Sequence, residues 1–250
     1  MAALTGKVAI VTGASRGIGR AIAERFAQDG AAVVVNYSQS ADQAKEVVVT
    51  IAARGGQAVA IQADMSRVPE IRRLFRETIA RFGHLDILVN NAATFILKPM
   101  AEVTEEEFDT VLALNARGPF FAMQEAARVL PDRGRIINIS SGATTVGLPG
   151  LGAYLGSKSA LEQFTLVLAK EVGARGITVN TVSSGVTETK MAEDIFALLP
   201  AGLKELTIQR TLLGRLGQPQ DIAEVVTFLA SEEARWITGQ NIHANGGMGW

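Results

Sequence analysis

The 250-residue chain has no cysteine, which excludes disulfides, thiolate metal ligands and cysteine nucleophiles. Its two histidines, His84 and His243, are not paired with a carboxylate at ligand spacing, so we expect no metal site and structural roles for both. The net charge of -1, with scattered basic residues, argues against a nucleic-acid partner. No apolar run could span a bilayer, and residues 1–6 lack the features of a signal peptide. These absences predict a cytoplasmic protein with no membrane or nucleic-acid partner, acting on a small molecule.

Strand and helix patterns alternate along the whole chain. With 48% hydrophobic and 20% charged residues, the composition predicts one globular domain over residues 1–250. Short apolar runs predict strands, and apolar residues at helical spacing predict helices. The predicted strands are 7–11, 32–35, 58–62, 87–89, 135–139, 178–182 and 241–243. The predicted helices are 18–28, 42–54, 71–82, 105–130, 153–172 and 222–229.

Continuously apolar strands, such as residues 33–35 and 136–137, are typical of strands covered by helices on both faces. The sequence therefore predicts an α/β fold: a doubly wound, Rossmann-type, seven-stranded parallel sheet. Such sheets bind ligands at the carboxyl ends of their strands. Residues 184–202 show no clear periodicity, which predicts an irregular lid over that edge.

A glycine-rich turn, residues 12–19, follows the first strand and opens the first helix. Glycines allow a sharp turn and close approach to a ligand, and a helix amino terminus favours an anion such as pyrophosphate. The spacing differs from the general G-x-G-x-x-G fingerprint, so these glycines alone are also compatible with a purely structural turn.

Several further motifs follow in order. They are Asp64 after the third strand, Asn90, Asn91, Ala92 and Ala93 after the fourth, then Asn115, Ser141, Tyr154 and Lys158. Together with residues 12–19, which match the TGxxxGxG element, this set resembles the short-chain dehydrogenase/reductase family across nearly the whole chain. The closest resemblance is to its 3-oxoacyl-carrier-protein reductase-like branch. It implies hydride transfer between a nicotinamide cofactor and a carbonyl or secondary alcohol.

Tyr154 and Lys158 are four residues apart, so on a helix they share one face. A neighbouring ammonium favours a phenolate, and we therefore expect Lys158 to lower the pKa of Tyr154. The resemblance gives Tyr154 the acid/base role and lets Lys158 also hold the nicotinamide ribose. Considered alone, such a pair is more typical of a helix surface than of a catalytic site.

Ser141 closes the fifth strand, where its hydroxyl can orient a carbonyl oxygen. We choose it over Ser140 because the family spacing to the tyrosine is thirteen residues, 154 minus 141. Asn115 lies in an apolar helix before Gly118 and Pro119, where a kink is expected. The resemblance implies that Asn115 anchors a water that relays protons to Lys158. Alone, the serine would suggest a turn residue and the asparagine a helix disruptor.

The cofactor preference is predicted from the end of the second strand. NAD-preferring sites place an acid there, whereas this chain reads Asn36, Tyr37, Ser38. Arg16 is a suitable fork for a 2′-phosphate, helped by the amide of Asn36 and the hydroxyl of Ser38. We therefore predict NADP(H), and expect Asp42 to start the next helix.

The resemblance also implies adenine binding by Asp64, which alone could equally be a helix cap. The full set of expected cofactor contacts is Gly13, Ser15, Arg16, Gly17, Ile18, Gly19, Asn36, Tyr37, Ser38, Asp64, Met65, Asn91, Ala92, Ala93, Tyr154, Lys158, Gly185, Val186 and Thr189.

Three positions depart from the family pattern. Ala93 replaces a usual glycine, which predicts altered local geometry. Ser184 replaces a usual proline, which predicts a looser base for the lid. Asn245 stands where aspartate is commoner, with consequences expected for packing only.

The expected substrate wall is Phe95, Ala143, Leu148 and Met191, which suits a neutral or weakly polar ketone. A 3-oxoacyl thioester, a sugar, a steroid or a small ketone remain open as substrates. Dehydration or epimerisation, and a non-catalytic NADP-binding regulator, are the alternative functions. On the helix from Tyr154, Leu166 and Ala169 widen the apolar stripe, and the resemblance implies a homotetramer.

Overall fold

The computed structural model describes residues 3–248, so the first two and last two residues of the predicted 1–250 domain lie outside the described residues. Seven parallel strands form one sheet in the order β3-β2-β1-β4-β5-β6-β7. The strands are β1 Val8–Val11, β2 Ala32–Tyr37, β3 Gln57–Gln62, β4 Ile87–Asn90, β5 Arg135–Ser141, β6 Thr178–Ser184 and β7 Asn241–Ala244. The helices are α1 Gly17–Gln28, α2 Ala41–Ala53, α3 Val68–Phe82, α4 Glu105–Leu112, α5 Gly118–Val129, α6 Gly152–Val172, α7 Lys190–Leu198, α8 Leu203–Arg210 and α9 Pro219–Ala230.

Helices cover both faces of this sheet. Alternate residues of β1 point to opposite faces, with Ala9 and Val11 in one apolar core and Val8 and Ile10 in the other. The first core lies under α1, α2 and α9, and the second under α3, α5 and α6. The predicted doubly wound, Rossmann-type fold is confirmed. Within residues 3–248, no helix has the length and apolar character needed to cross a bilayer.

The strand order reverses direction at β1, which pairs with β2 on one side and β4 on the other. Val11 of β1 lies beside Val35 of β2 and Val89 of β4, so the three strands end together. A crevice opens outside the carboxyl ends of strands at such a reversal. The glycine turn and residues 90–93 both emerge there.

The predicted helix over residues 105–130 is confirmed and ends one residue early, at Val129, but its middle is not regular α-helix. α4 ends at Leu112, a π-helical turn spans Ala113–Arg117, and α5 begins at Gly118. A Cβ atom on Gly118 would lie 2.2 Å from the carbonyl oxygen of Met65, so only glycine permits this close contact. The expected kink near Asn115 is thus present as a wider helical turn.

The predicted irregular stretch 184–202 is also wrong in part. Ser184 still belongs to β6, and α7 occupies Lys190–Leu198. The hydroxyl of Thr189 accepts a hydrogen bond from the amide of Ala192 and so caps α7. The helix was missed although its apolar residues recur at helical spacing, so the signal was present in the sequence.

The outer face of α6 differs from the predicted stripe. Ala169, expected to be surplus, is buried in the core, whereas Leu166 and Val167 are 39% and 54% exposed. The apolar surface left uncovered by this helix therefore consists of Leu166 and Val167.

Candidate active site

One large cleft, with a volume of about 1910 Å³, lies at the carboxyl ends of the strands. It is lined by every predicted cofactor and catalytic residue except Gly19 and Asn115. Those two are buried directly behind the wall. The cleft joins two regions: the glycine turn at one end and the neighbourhood of Tyr154 at the other.

The glycine turn is held by side chains from two other strands. Asn91 donates through Nδ2 to the carbonyl oxygens of Thr12 and Gly13, at 2.8 and 3.2 Å. The Thr12 hydroxyl accepts from the amides of Asn91 and Ala92 and donates to Val89. The turn is therefore fixed before any ligand binds.

Two glycines of this turn allow contacts that a side chain would block. A Cβ atom at Gly19 would lie 2.5 Å from Nδ2 of Asn91 and 2.6 Å from the oxygen of Gly13. At Gly13 it would lie 2.9 Å from Cα of Ala92, and φ there is +62°. Close backbone packing at the start of α1 leaves its first amides facing the cleft, which suits a pyrophosphate.

The end of β2 requires a correction. Asn36 is 1% exposed, and its side chain accepts from the amide of Gly13 and donates to the carbonyls of Ile61 and Ala63. Its amide is therefore engaged inside the protein, contrary to the prediction that it helps to bind a 2′-phosphate. Arg16 and Ser38 are exposed and line the cleft, so they remain the residues suited to that phosphate.

Asp64 does not cap α3, the alternative we considered for it, because Arg67 precedes that helix. Its Oδ1 atom accepts from the amide and hydroxyl of Ser66, at 2.9 and 2.7 Å. The residue lines the cleft beside Met65, next to the end of β3. This position is compatible with contact to an adenine.

At the other end of the cleft, three functional side chains come together. Tyr154 and Lys158 extend from the same face of α6, with Nζ of Lys158 5.9 Å from the centre of the tyrosine ring. Nζ donates to the carbonyl oxygen of Ile139 at 2.7 Å. Ser141, at the end of β5, forms a side-chain hydrogen bond with Tyr154. The hydroxyl of Ser140, the other serine that we considered, instead donates to Glu162 at 2.6 Å.

The pKa values correct one prediction. Burial raises the pKa of Tyr154 to about 12, and the hydrogen bond with Ser141 lowers it only in part. Burial also lowers the pKa of Lys158 to about 8, with the Glu162 carboxylate acting in the opposite direction. In the protein alone the phenol is thus a weaker acid than in water, contrary to the expected lowering by Lys158. Desolvation is the larger effect in this buried position.

Asn115 is fully buried in the π-helical turn. Its Oδ1 atom accepts from the amide of Thr94, and Nδ2 donates to the Thr94 carbonyl and to the Ser157 hydroxyl. Ser157 precedes Lys158 on α6, so Asn115 joins this turn to the catalytic helix and the segment after β4. These bonds define a structural role, and the expected water relay stays a prediction.

The departures from the family pattern have small local effects. Arg133 is the only non-glycine residue with positive φ in the described part of the chain, so Ala93 adopts an ordinary backbone angle. Ser184 pairs with Ser141 and with Ala244 as the last residue of β6, which leaves the lid base tied to the sheet. Ala93 thus needs no left-handed backbone angle, and the looser lid base stays a prediction. Asn245 accepts from the amide of Gly247, a packing role as expected.

One histidine has a partner that the sequence analysis did not identify. Nε2 of His84 lies 3.2 Å from Oδ2 of Asp86, and Asp86 also binds the amide of Val8. These residues lie at the amino ends of β1 and β4, opposite the cleft. The structural interpretation of His84 therefore holds despite the carboxylate.

Glu162 was missed by the sequence analysis, although it lies four residues beyond Lys158 and eight beyond Tyr154. Its Oε1 atom accepts from the hydroxyls of Ser140 and Thr144, at 2.6 and 2.9 Å. The repeated spacing of four along one helix face was the available signal.

Comparisons with known proteins agree with this site. A family model described as enoyl-(acyl carrier protein) reductase matches residues 13–249. The chain is 48% identical to an uncharacterized oxidoreductase of Methylorubrum extorquens, covering 99% of this chain and 100% of that one. It is 45% identical to a hydroxynaphthalene reductase-like protein of Metarhizium robertsii, covering 98% and 95%.

Solved structures are similar over the same length. The angucycline C-6 ketoreductase LanV with bound NADP has a TM-score of 0.91 at 46% identity, covering 98% of this chain and 96% of its own. A short-chain dehydrogenase from Burkholderia cenocepacia in complex with NADP has a TM-score of 0.92 at 40% identity, covering 98% and 99%. By its sheet, its glycine turn and these full-length relatives, the chain belongs to the short-chain dehydrogenase/reductase family.

Proposed function

We propose that this chain is an NADP(H)-dependent carbonyl reductase acting on a neutral, largely apolar ketone, with oxidation of the corresponding secondary alcohol as the reverse reaction. The observation that carries the proposal is the convergence of Ser141, Tyr154 and Lys158 at one end of a cleft whose other end is a preformed glycine turn. Residues 3–248 form one sheet around this cleft, and we propose the whole chain as one catalytic unit with residues 184–202 as its lid.

The cofactor assignment is supported by the fit of the glycine turn and by the end of β2. Close packing at Gly13 and Gly19 suits a pyrophosphate, and Arg16 supplies a cation for a 2′-phosphate. No acidic residue that would repel this phosphate lies between the end of β2 and Asp42. Two structural neighbours hold NADP. When bound, this cofactor supplies the hydride for reduction.

The chain's own residues supply the proton that the carbonyl oxygen receives during reduction. With a pKa raised to about 12 by burial, Tyr154 stays protonated at neutral pH and can donate to a carbonyl oxygen. Ser141 holds the same oxygen through its hydroxyl. The Lys158 ammonium, with its pKa lowered to about 8, is mostly charged at neutral pH and stabilises the phenolate left after donation.

The substrate class is inferred from the wall beside Tyr154. Ala143, Leu151 and Leu155 form a small apolar cluster, with Phe95 and Leu97 packed against it together with the tyrosine. The lid adds further apolar side chains that line the cleft: Met191, Ile195, Phe196 and Leu199. Apolar walls suit a cyclic, aromatic ketone. Relatives are named for reduction of a hydroxynaphthalene and of an angucycline.

A 3-oxoacyl thioester is the second candidate, favoured by the family model described as enoyl-(acyl carrier protein) reductase. The test is a panel of a bicyclic aromatic ketone, a 3-oxoacyl thioester and a small aliphatic ketone, each with NADPH and with NADH. We expect NADPH oxidation matching ketone loss, and kcat/KM for the bicyclic ketone at least roughly tenfold above the thioester. The reverse ranking would favour the thioester.

Two other outcomes of the panel would contradict the proposal. Product formation without net NADPH consumption would indicate dehydration or epimerisation. NADPH binding without turnover of any ketone would indicate a regulator. We also propose a homotetramer, supported by the exposed Leu166 and Val167 on α6.

A further inference from the structure

The carboxylate of Glu162 lies just behind the three proposed catalytic side chains. Glu162 is on α6, four residues beyond Lys158, which places the two side chains on one face one turn apart. Both reach the end of β5: Lys158 donates to the carbonyl of Ile139, and Glu162 accepts from the hydroxyl of the next residue, Ser140. Helix and strand are thus connected twice at this point.

Glu162 also connects two further segments. Its Oε1 atom accepts from the hydroxyl of Thr144 at 2.9 Å, in the turn that follows Ser141, and lies 3.5 Å from the hydroxyl oxygen of Ser183 of β6. Ser140 and Thr144 flank Ser141 on either side along the chain. Because both are bound to one carboxylate oxygen, the backbone that presents the Ser141 hydroxyl has little freedom to move.

The same carboxylate lies on the same helix as a buried cation, Lys158. Lys158 is 3% exposed, and a buried ammonium is costly unless an opposite charge or strong acceptors offset its desolvation. Burial lowers the pKa of Lys158, and Glu162 opposes this. The other titratable neighbour on α6 is Tyr154, while β5, β6 and the π-helical turn present neutral groups: Ser140, Ser183 and Asn115.

We propose that Glu162 is a positioning residue of the active site, which fixes the Ser141 turn through Ser140 and Thr144 and keeps Lys158 charged. The inference rests on the proposed function, because it assigns Glu162 to the support of Ser141, Tyr154 and Lys158. A purely structural role would be served by any hydrogen-bond acceptor. The proposed role requires the negative charge as well.

The test compares wild type, Glu162→Gln, Glu162→Asp and the control Glu171→Gln, which removes an exposed carboxylate from the same helix. Ketone reduction with NADPH is measured from pH 6 to pH 9.5, and thermal melting is measured in parallel. Glu162→Gln keeps an acceptor oxygen but lowers the pKa of Lys158, so the loss of kcat at alkaline pH should begin at lower pH. We expect roughly a threefold or greater loss at pH 8 and less than about twofold at pH 6.5.

Glu162→Asp, which keeps the charge, should retain the wild-type shape of the pH profile even if its kcat is lower. Glu171→Gln should match wild type throughout. The inference is overturned if Glu162→Gln follows the wild-type profile, or if its activity falls by one factor at every pH together with a lower melting temperature. If Glu162→Gln does not fold, a Glu162→Asp profile shifted to lower pH would overturn it, and an unshifted one supports it.

A readout without turnover separates this inference from the proposed function. Trace acetylation of the Lys158 amine, followed by mass spectrometry over the same pH range, reports its protonation in the protein alone. Lys158 should be acetylated faster in Glu162→Gln than in wild type at pH 7.5, because more of the amine is neutral. Equal rates overturn the inference. An inactive wild type that still shows this difference would contradict the proposed function only.

Discussion

Replacement of Asn36 by alanine would remove the side chain that fixes the glycine turn to β3. The side chain accepts from the amide of Gly13 at 3.3 Å and donates to Ala63 and Ile61 at 3.1 and 3.3 Å. The backbone bond from the amide of Ala14 to the carbonyl of Asn36 remains in the variant. The substitution therefore tests the side chain without deleting the strand contact.

The size of the effect follows from burial. A buried polar group left without its partner costs about 1–3 kcal/mol, and the three bonds here are long. Because the two carbonyls have a second lone pair, we expect a total loss of roughly 2–4 kcal/mol in the free energy of unfolding. For a chain of this size that corresponds to a fall in Tm of roughly 5–15 °C.

Differential scanning calorimetry with and without NADPH measures this effect. The matched control is Gln62→Ala, since Gln62 donates to the carbonyl of Ser38 at the same sheet edge but is exposed. We expect the control to change stability by less than about 1 kcal/mol. An Asn36→Ala protein melting within about 2 °C of wild type would refute the account of the glycine turn, since buried bonds of this kind cost more than that.

Three further predictions concern the cofactor end and the assembly. Arg16→Ala should raise the KM for NADPH roughly 10- to 100-fold, because a charge-assisted bond to the 2′-phosphate is lost, and the KM for NADH by less than about twofold. Equal effects on the two KM values in steady-state assays would contradict this. Gly19→Ala would place a Cβ atom 2.5 Å from Nδ2 of Asn91. The affinity for NADPH, measured by fluorescence titration, should therefore fall at least roughly tenfold. An unchanged affinity would argue against the tight turn. Val167 is 54% exposed on α6. If a second subunit covers it, Val167→Asp buries a charge in that interface, so light scattering should show smaller assemblies than for wild type. A monomeric wild type would contradict the proposed tetramer.

Much of the fold was accessible from the sequence because each strand and most helices are apolar on the side that faces the sheet. Only a kink was predicted within residues 105–130, because the π-helical turn at Ala113–Arg117 accompanies the contact of Gly118 with Met65, far away in the chain. Helix α7 was missed although its apolar residues recur at helical spacing, a signal that the sequence did contain.

The candidate site was likewise predicted from the sequence only in part. Tyr154, Lys158 and Ser141 were predicted from the resemblance to the family, and the structure brings them together at one end of the cleft. The pKa of Tyr154 was predicted in the wrong direction, because pairwise spacing identifies a nearby charge but not the extent of burial. The engagement of Asn36 with Gly13 likewise depends on strand pairing that a linear motif does not specify.

The central claim is that the Tyr154 phenol donates the proton in ketone reduction. Its most direct test is kcat for Tyr154→Phe at saturating NADPH, with NADPH affinity measured by fluorescence in the same preparation. Loss of a general acid should lower kcat roughly 10²- to 10⁴-fold while NADPH affinity stays within about threefold of wild type. A Tyr154→Phe protein that binds NADPH normally and reduces the ketone within about threefold of the wild-type rate would contradict it.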